Sequence, residues 1–197
     1  MTFKLGLTGS IGMGKSTTAQ MFVDLGCALW DADAAVHRLY AHGGAAIASI
    51  SEICPQAIVD GAVSRDRLRQ EIQWDPELLQ KIEGIVHPLV AQDRAEFVAK
   101  AESDILVFDI PILFETGGNA AMDAVVCVSI PAELQRERVL ARGTMTEAQF
   151  EQILAKQMPN DDKVAKSDYV VLTDTLDHAR AQVEKIVSTI REQLAHA

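Results

Sequence analysis

Residues 3–8 read Phe-Lys-Leu-Gly-Leu-Thr, and residues 9–16 continue with Gly-Ser-Ile-Gly-Met-Gly-Lys-Ser. The second stretch fits the phosphate-binding loop pattern, in which a glycine and four further residues precede Gly-Lys and then Ser or Thr. An apolar run comes directly before the loop and helix-forming residues follow it, which is the strand–loop–helix context that this motif requires. The stretch therefore predicts that the chain binds a nucleoside triphosphate.

Each fixed position of the loop has a physical role. Gly9 and Gly14 allow backbone angles and close approaches that a Cβ atom would block, so that successive N–H groups can point at phosphate oxygens. Lys15 can reach the β- and γ-phosphates, and the Ser16 hydroxyl can bind Mg²⁺. The positive end of the following helix faces the same anion. The predicted nucleotide contacts are Gly9, Ile11, Gly12, Met13, Gly14, Lys15, Ser16 and Thr17.

Composition limits the classes of partner. The 197-residue chain carries a formal net charge of −10 and has a pI of about 4.9, so it lacks the basic surface expected for nucleic acid or an anionic membrane. Its 3 cysteines lie far apart among apolar residues and are expected to be reduced thiols. We find no signal-peptide pattern and no run of transmembrane length, and we expect a cytoplasmic protein, with a monomer favoured.

Short apolar runs alternate with longer helical patterns along the chain. Near-continuous apolar strands separated by helices are typical of βαβ units, so we predict an α/β fold with a doubly wound, mainly parallel sheet of five strands. The clearest helical pattern is at the C-terminal end, from Ala179 to Leu194. The predicted strands are Phe3–Thr8, Ala28–Trp30, Ile105–Phe108, Ala124–Ile130 and Tyr169–Leu172.

Two segments interrupt this alternation within what we interpret as one domain over residues 1–197. About 70 residues, from 31 to 103, show helical patterns and no convincing strand, which is too long for a plain crossover. We expect a small helical insertion there, over the sheet edge. A second excursion, at about 136–166, is rich in charged and amide side chains.

Polar residues that follow the strands are the candidates for chemistry, because ligands gather beyond the carboxyl ends of parallel strands. Asp31 and Asp33 follow the second strand; either could serve phosphoryl transfer as a base or metal ligand, or could simply cap the next helix. Asp109 ends the third strand, where it could hold Mg²⁺ or belong to a turn before Pro111. Glu115 follows in the same segment.

Arg138 and Arg142 are one helical turn apart, with Gln135 on the same face. If their helix closes as a lid, the two could neutralise charge on a transferred phosphoryl group; otherwise they are a solvated surface pair. His87 precedes Pro88, a pattern more typical of a structural histidine at a helix end than of a ligand. The histidines show no metal-binding spacing, and we expect no zinc.

Taken in order, these residues resemble the dephospho-CoA kinase family from the N-terminus to about residue 175. The phosphate loop alone indicates only a kinase or another NTPase, whereas the ordered combination is far more specific. The matching stretches are 6–16, Asp31-Ala32-Asp33 with Val36-His37, Arg65 with Leu68, Ile85-Val86-His87-Pro88, Pro111-Ile112-Leu113-Phe114-Glu115, Gln135, Arg138, Arg142, Gln157 and Ser167-Asp168-Tyr169.

The resemblance implies a P-loop kinase that uses ATP and Mg²⁺ to phosphorylate the ribose 3′-hydroxyl of dephospho-CoA. It makes Asp33 the base and places Arg138 and Arg142 in a lid at about 136–166. It puts Arg65, His87 and Glu115 on the acceptor side, with the insertion at about 31–103 as the acceptor-binding part. Magnesium ligands would come from Ser16 and from Asp31 or Asp109.

The chain departs from the family pattern near the expected adenine site, where Thr173 replaces the usual asparagine. This leaves the preference for ATP over GTP open. Two other functions are compatible with a phosphate loop: a kinase acting on a nucleoside or nucleoside monophosphate, and a GTPase-like switch or nucleotide sensor. The long insertion and the His-Pro stretch disfavour the first, and the lack of an Asn-Lys-x-Asp motif disfavours the second.

Overall fold

A five-stranded sheet with the order β2-β5-β1-β6-β7 organises the chain; the structure, a computed structural model, describes residues 2–196. Strand β1 runs parallel to β5 and β6, and β7 runs parallel to β6. These strands confirm the doubly wound α/β prediction and begin where the apolar runs begin. Their bounds are β1 Phe3–Thr8, β2 Ala28–Asp31, β5 Ile105–Asp109, β6 Ala124–Ser129 and β7 Tyr169–Leu172.

Both faces of the sheet are buried, which explains why its strands read as continuous apolar runs. Alternate residues such as Leu5, Leu7 and Val126 join one core cluster with side chains of helices α1 and α9. The intervening residues, among them Leu106 and Cys127, are equally buried but lie outside that cluster. Helices α1 and α9 span Lys15–Asp24 and Leu176–Ala195.

Contacts within the chain divide it into two compact units, the second of which is Asp31–Lys100. The first unit takes in the chain up to Trp30 and from Ala101 onward. It also contains a 3₁₀ turn at Gly118–Ala121 and three helices in the segment predicted as a lid. Those helices are α6 Ala132–Ala141, α7 Glu147–Leu154 and α8 Asn160–Lys166.

The second unit has its own apolar core, built around Ile50, Leu68, Ile82 and Val86. Its helices are α2 Ala32–Tyr40, α3 Ile47–Ile53, α4 Arg65–Trp74 and α5 Glu77–Lys100, with a 3₁₀ turn at Pro55–Ala57.

A small antiparallel hairpin also lies in this unit, formed by β3 Ile58–Val59 and β4 Ala62–Val63. The expectation of helices alone was therefore wrong here. The turn residues Asp60 and Gly61 have φ angles of 49° and 72°, and positive φ at both central residues is the geometry of a tight hairpin turn.

The interpretation of His87-Pro88 as a helix end was also wrong. Pro88 lies inside the 24-residue helix α5, which continues for three further turns. A proline removes one backbone hydrogen bond from a helix interior, and its ring crowds the carbonyl group four residues earlier. Here that residue is Gly84, where an added Cβ would have no neighbour within 4 Å, so the surroundings leave room for local adjustment.

All three cysteines lie in the described part of the chain, are buried, and form no disulfide. Burial raises the pKa of the Cys27 and Cys127 thiols to about 11, which keeps them protonated near neutral pH. The expectation of buried, reduced thiols is confirmed for all three cysteines. Separately, none of the described helices combines the length and apolar character needed to span a bilayer.

Candidate active site

The phosphate-binding loop joins β1 to α1 and is shaped by its glycines. Gly9 packs against Val128 so closely that an added Cβ would overlap that side chain. Gly12 and Gly14 have φ angles of 78° and 91°, a region that side chains disfavour. Gly14 is also the N-cap of α1 and has no side chain to occupy the first N–H groups of the helix. These N–H groups are therefore available to an anion.

Three side chains from distant parts of the chain hold the backbone of the loop. Gln135 Nε2 donates to the carbonyl oxygen of Ile11 at 2.7 Å, and Gln157 Oε1 accepts from the Ile11 N–H at 3.2 Å. Thr173 Oγ1 donates to the carbonyl oxygen of Met13 at 2.7 Å. The Met13 side chain is itself buried. Side chains of the first unit thus hold the loop in shape.

Lys15 and Asp109 form an ion pair at the mouth of the loop. Lys15 comes at the end of the loop that follows β1, and Asp109 is the last residue of β5. Because β1 and β5 are parallel neighbours, their carboxyl ends lie side by side. Asp109 is almost completely buried at the end of β5, whereas the Lys15 side chain is partly exposed. A buried carboxylate beside the loop lysine is the arrangement expected of a residue that organises a phosphate–metal site.

Two of the cavities that reach the loop share part of their lining. A cavity of about 130 Å³ is lined by residues 10 and 12–17 of the loop region together with Arg142. A second, of about 260 Å³, extends from Gly12 and Gly14 towards Thr173–Leu176. Arg142 lines both cavities.

The two arginines of α6 have different surroundings. Arg138 Nη2 donates to the carbonyl oxygens of Thr173 and Asp174 at 2.8 and 3.1 Å, so its guanidinium holds the loop after β7. Arg142, at the C-cap of the same helix, is exposed and lines both cavities. Both arginines line the cavity of about 260 Å³, and of the two only Arg142 lines the cavity of about 130 Å³.

The acceptor-side candidates of the second unit form a separate group. Asp33 is exposed in the first turn of α2, and Arg65 Nη2 lies 3.5 Å from its carbonyl oxygen. The Arg65 guanidinium also lies 5.9 Å from the centre of the Tyr40 ring. His87 is exposed on α5.

Asp31 caps a helix, which is one of the two roles, helix cap or metal ligand, that the sequence left open for it. Its Oδ1 accepts a hydrogen bond from the Ala34 N–H at 2.9 Å, which makes it the N-cap of α2. Capping satisfies one of the unpaired N–H groups at the start of the helix. The bond uses one carboxylate oxygen, and the assignment of Asp31 to the metal remains a prediction.

Glu115 lies in the first unit, where its Oε1 accepts from the Met158 N–H at 2.9 Å and pairs with Lys163 Nζ at 2.9 Å. Burial alone would raise the pKa of this carboxyl group. The hydrogen bonds from Lys163 and from the Met158 backbone outweigh burial and hold the pKa below its usual value. Both contacts use Oε1, and the side chain keeps 20% of its surface exposed.

The sequence profile of the dephospho-CoA kinase family matches residues 3–178. The chain belongs to this family. A dephospho-CoA kinase of Ruegeria pomeroyi is 71% identical over 197 residues, which is all of both chains. A crystal structure from Thermus thermophilus aligns over 95% of this chain and 97% of its own, with a TM-score of 0.86 and 28% identity. A dephospho-CoA kinase structure from Campylobacter jejuni shares the fold, with a TM-score of 0.71, 21% identity, and coverage of 98% and 99%.

Two residues at the site escaped sequence reasoning. In the sequence Thr173 is only a departure from the family pattern, whereas in the structure its hydroxyl anchors the phosphate loop. Lys163 follows Asn160-Asp161-Asp162, which resembles a solvated charged face and gives no sign of a buried ammonium group. The match of Gln157 to the family pattern was the one local signal that this region contacts the loop.

Proposed function

We propose that the chain transfers the γ-phosphoryl group of ATP to the ribose 3′-hydroxyl of dephospho-CoA, which yields coenzyme A. The observation that carries the proposal is a preformed phosphate loop, with Lys15 paired to Asp109 at its mouth, in a chain of this family. A phosphoryl-transfer enzyme needs mainly positioning and charge stabilisation, and this loop supplies both.

The nucleotide would bind with its phosphates on the loop and its base in the larger cavity. Contacts to the phosphates would come from the N–H groups of residue 12 and residues 14–17, from the Lys15 ammonium and from Arg142. Lys15 would exchange its contact with Asp109 for the β- and γ-phosphates, because those anions carry more charge than one carboxylate. The base would lie beside the loop after β7, which Arg138 holds through two backbone carbonyl groups.

Magnesium would be held by oxygen donors, which is the chemistry that this ion prefers. The Ser16 hydroxyl and the Asp109 carboxylate are such donors near the phosphate cavity, and Asp31 is a further candidate. Mg²⁺ bound in this way would keep several of its ligands from water and phosphate oxygens. When bound, Mg²⁺ would neutralise phosphate charge.

Asp33 would orient the acceptor hydroxyl and accept its proton as the phosphoryl group is transferred. A carboxylate placed beside the acceptor hydroxyl is the usual base in this kind of transfer. Arg142 would stabilise charge on the transferred group, with Arg138 beside it, as the segment of about 136–166 closes as a lid.

The acceptor would be held by Arg65, His87 and Glu115, with the insertion of about 31–103 as the acceptor-binding part. Arg65 offers a guanidinium suited to the diphosphate of dephospho-CoA. The acidic chain favours neither nucleic acid nor an anionic membrane as a partner. We propose that it acts in the cytoplasm as a monomer.

The test is ADP release by purified protein with Mg-ATP, measured with and without dephospho-CoA. We expect release to require dephospho-CoA and coenzyme A to be identified by its mass. Lys15→Ala, assayed in parallel, should lose most of this turnover. Replacing ATP by GTP in the same assay measures the nucleotide preference that Thr173 leaves open. ATP hydrolysis that dephospho-CoA does not stimulate, or turnover with a nucleoside monophosphate instead, would refute the proposed reaction.

A further inference from the structure

Lys163 on α8 is completely buried, with 0% of its surface exposed. Its ammonium donates to the carbonyl oxygen of Pro111 at 2.8 Å and pairs with Glu115 Oε1 at 2.9 Å. Burying an ammonium group is costly unless its charge is paired and its protons are hydrogen-bonded. Both partners lie in the loop that follows β5, so this cation fixes that loop to α8.

Each partner of Lys163 also contacts another segment. The Pro111 carbonyl oxygen accepts a second hydrogen bond, from Thr8 Oγ1 at 3.1 Å. Glu115 Oε1 accepts from the Met158 N–H at 2.9 Å. One buried ammonium is therefore at the centre of a network that joins the end of β1, the loop after β5 and the segment that leads into α8.

All three segments continue directly into the nucleotide site. Thr8 precedes Gly9, the first residue of the phosphate loop. Asp109, which pairs with Lys15, lies just before the Pro111 turn. Met158 follows Gln157, whose side chain accepts the Ile11 N–H. A displacement at the network would consequently move the loop and the carboxylate that faces it.

We propose that Lys163 is a positioning residue for phosphoryl transfer, which holds the loop after β5 and the base of the phosphate loop in their catalytic arrangement. It touches neither nucleotide nor acceptor and acts through Pro111, Glu115 and Thr8. The inference rests on the proposed function, because it concerns the residues that carry that reaction. It also gives Glu115 a defined orientation, with Oε1 occupied by the network.

Lys163→Met keeps the length of the side chain and removes the ammonium group. We expect kcat to fall about 10- to 100-fold, since small displacements of positioned groups have effects of this size, while the KM for dephospho-CoA changes less. Lys163→Arg, which keeps a buried cation, should recover part of the lost kcat. Lys166→Met is the matched control, because Lys166 is exposed on the same helix; it should behave as the wild type.

Hydrogen exchange measured by mass spectrometry separates positioning from general destabilisation. In Lys163→Met we expect faster exchange in residues 8–12, 109–116 and 157–160, with α9 and the second unit unchanged. If exchange is faster throughout the core, or if the loss of kcat equals the unfolded fraction of the variant, Lys163 only stabilises the fold and the proposal is wrong. Wild-type kcat and exchange in a folded Lys163→Met would also overturn the proposal.

If Lys163→Met does not fold, Lys163→Arg provides the same comparison, with a smaller expected loss of kcat and the same exchange pattern. The wild type is assayed first. If it shows no turnover that depends on dephospho-CoA, the proposed reaction itself is wrong. Exchange in the three segments does not depend on that reaction and tests Lys163 in either case.

Discussion

Replacing Thr173 by valine should loosen the phosphate loop from a position outside it. The side chain is 9% exposed, and its hydroxyl donates to the Met13 carbonyl oxygen at 2.7 Å. Valine keeps the shape of threonine but cannot donate, so the carbonyl group of the buried Met13 loses a hydrogen bond. Depriving a buried acceptor of its donor costs about 1–3 kcal/mol.

For a domain of this size, each kcal/mol lowers Tm by about 2–4 °C. We therefore expect Thr173→Val to melt several degrees below the wild type. Because the Met13 carbonyl helps to hold the loop in its binding conformation, the KM for ATP should rise about 3- to 10-fold as preorganisation is lost. Differential scanning fluorimetry and steady-state kinetics measure the two effects.

Thr173→Ser is the matched control, since it keeps the hydroxyl group and removes only a methyl group. It should retain most of the ATP affinity. The backbone N–H of Thr173, which donates to Ser129 O at 3.0 Å, is unaffected by either substitution. A valine variant with wild-type Tm and KM, or a serine variant as impaired as valine, would show that the hydroxyl does not anchor the loop.

Four further substitutions test other parts of the site. Asp33→Asn should lower kcat about 10²- to 10⁴-fold with little change in ATP affinity, as expected for loss of a general base; near-normal kcat would exclude that role. Arg142→Met should lower kcat by about 10²-fold or more, as loss of a charge-stabilising donor does, whereas Arg138→Met should chiefly raise the KM for ATP because it frees the loop after β7. Equal kinetic profiles for the two arginine variants would contradict this division. Glu115 has a pKa below its ordinary value of 4.5, so its stabilising contribution is present above that value and is lost as the pH falls through the folded-state pKa. Urea unfolding of Glu115→Gln should show a weaker loss of stability below pH 4.5 than the wild type, and parallel curves would refute the coupling.

The sheet could be predicted from sequence because burial of both faces produces a recognisable pattern of continuous apolar runs. A strand such as Ile105–Asp109 must be apolar at nearly every position, and no other element of comparable length requires this pattern. The hairpin at Ile58–Val63 produces no such pattern, because strands of two residues are too short to show an alternation of apolar and polar residues. Its only local sign was Asp60-Gly61, which favours a tight turn as much as a helix break.

The phosphate loop could likewise be predicted, because its residues are consecutive and each has a local function. The side chains that hold it could not, because their roles depend on partners far away in the chain. Lys163 and Pro111 are 52 positions apart, and nothing near Lys163 distinguishes a buried ammonium from a solvated one. Asp31 is an intermediate case. The sequence allowed it to be either a helix cap or a metal ligand, and the structure establishes that it is a helix cap.

If the segment of about 136–166 closes as a lid, as proposed, its contacts would couple that movement to the phosphate loop. Gln135 on α6 and Gln157, just before α8, both bind Ile11, and Arg138 on α6 holds the loop after β7. Through Gln157 and Arg138, the segment of about 136–166 is thereby attached to the phosphate loop and to the loop after β7. If this segment moves, its movement must be transmitted to Ile11 or must break those bonds. Replacing Gln157 alone should consequently alter the conformation of the phosphate loop, through a contact on the side of the loop that faces away from the nucleotide.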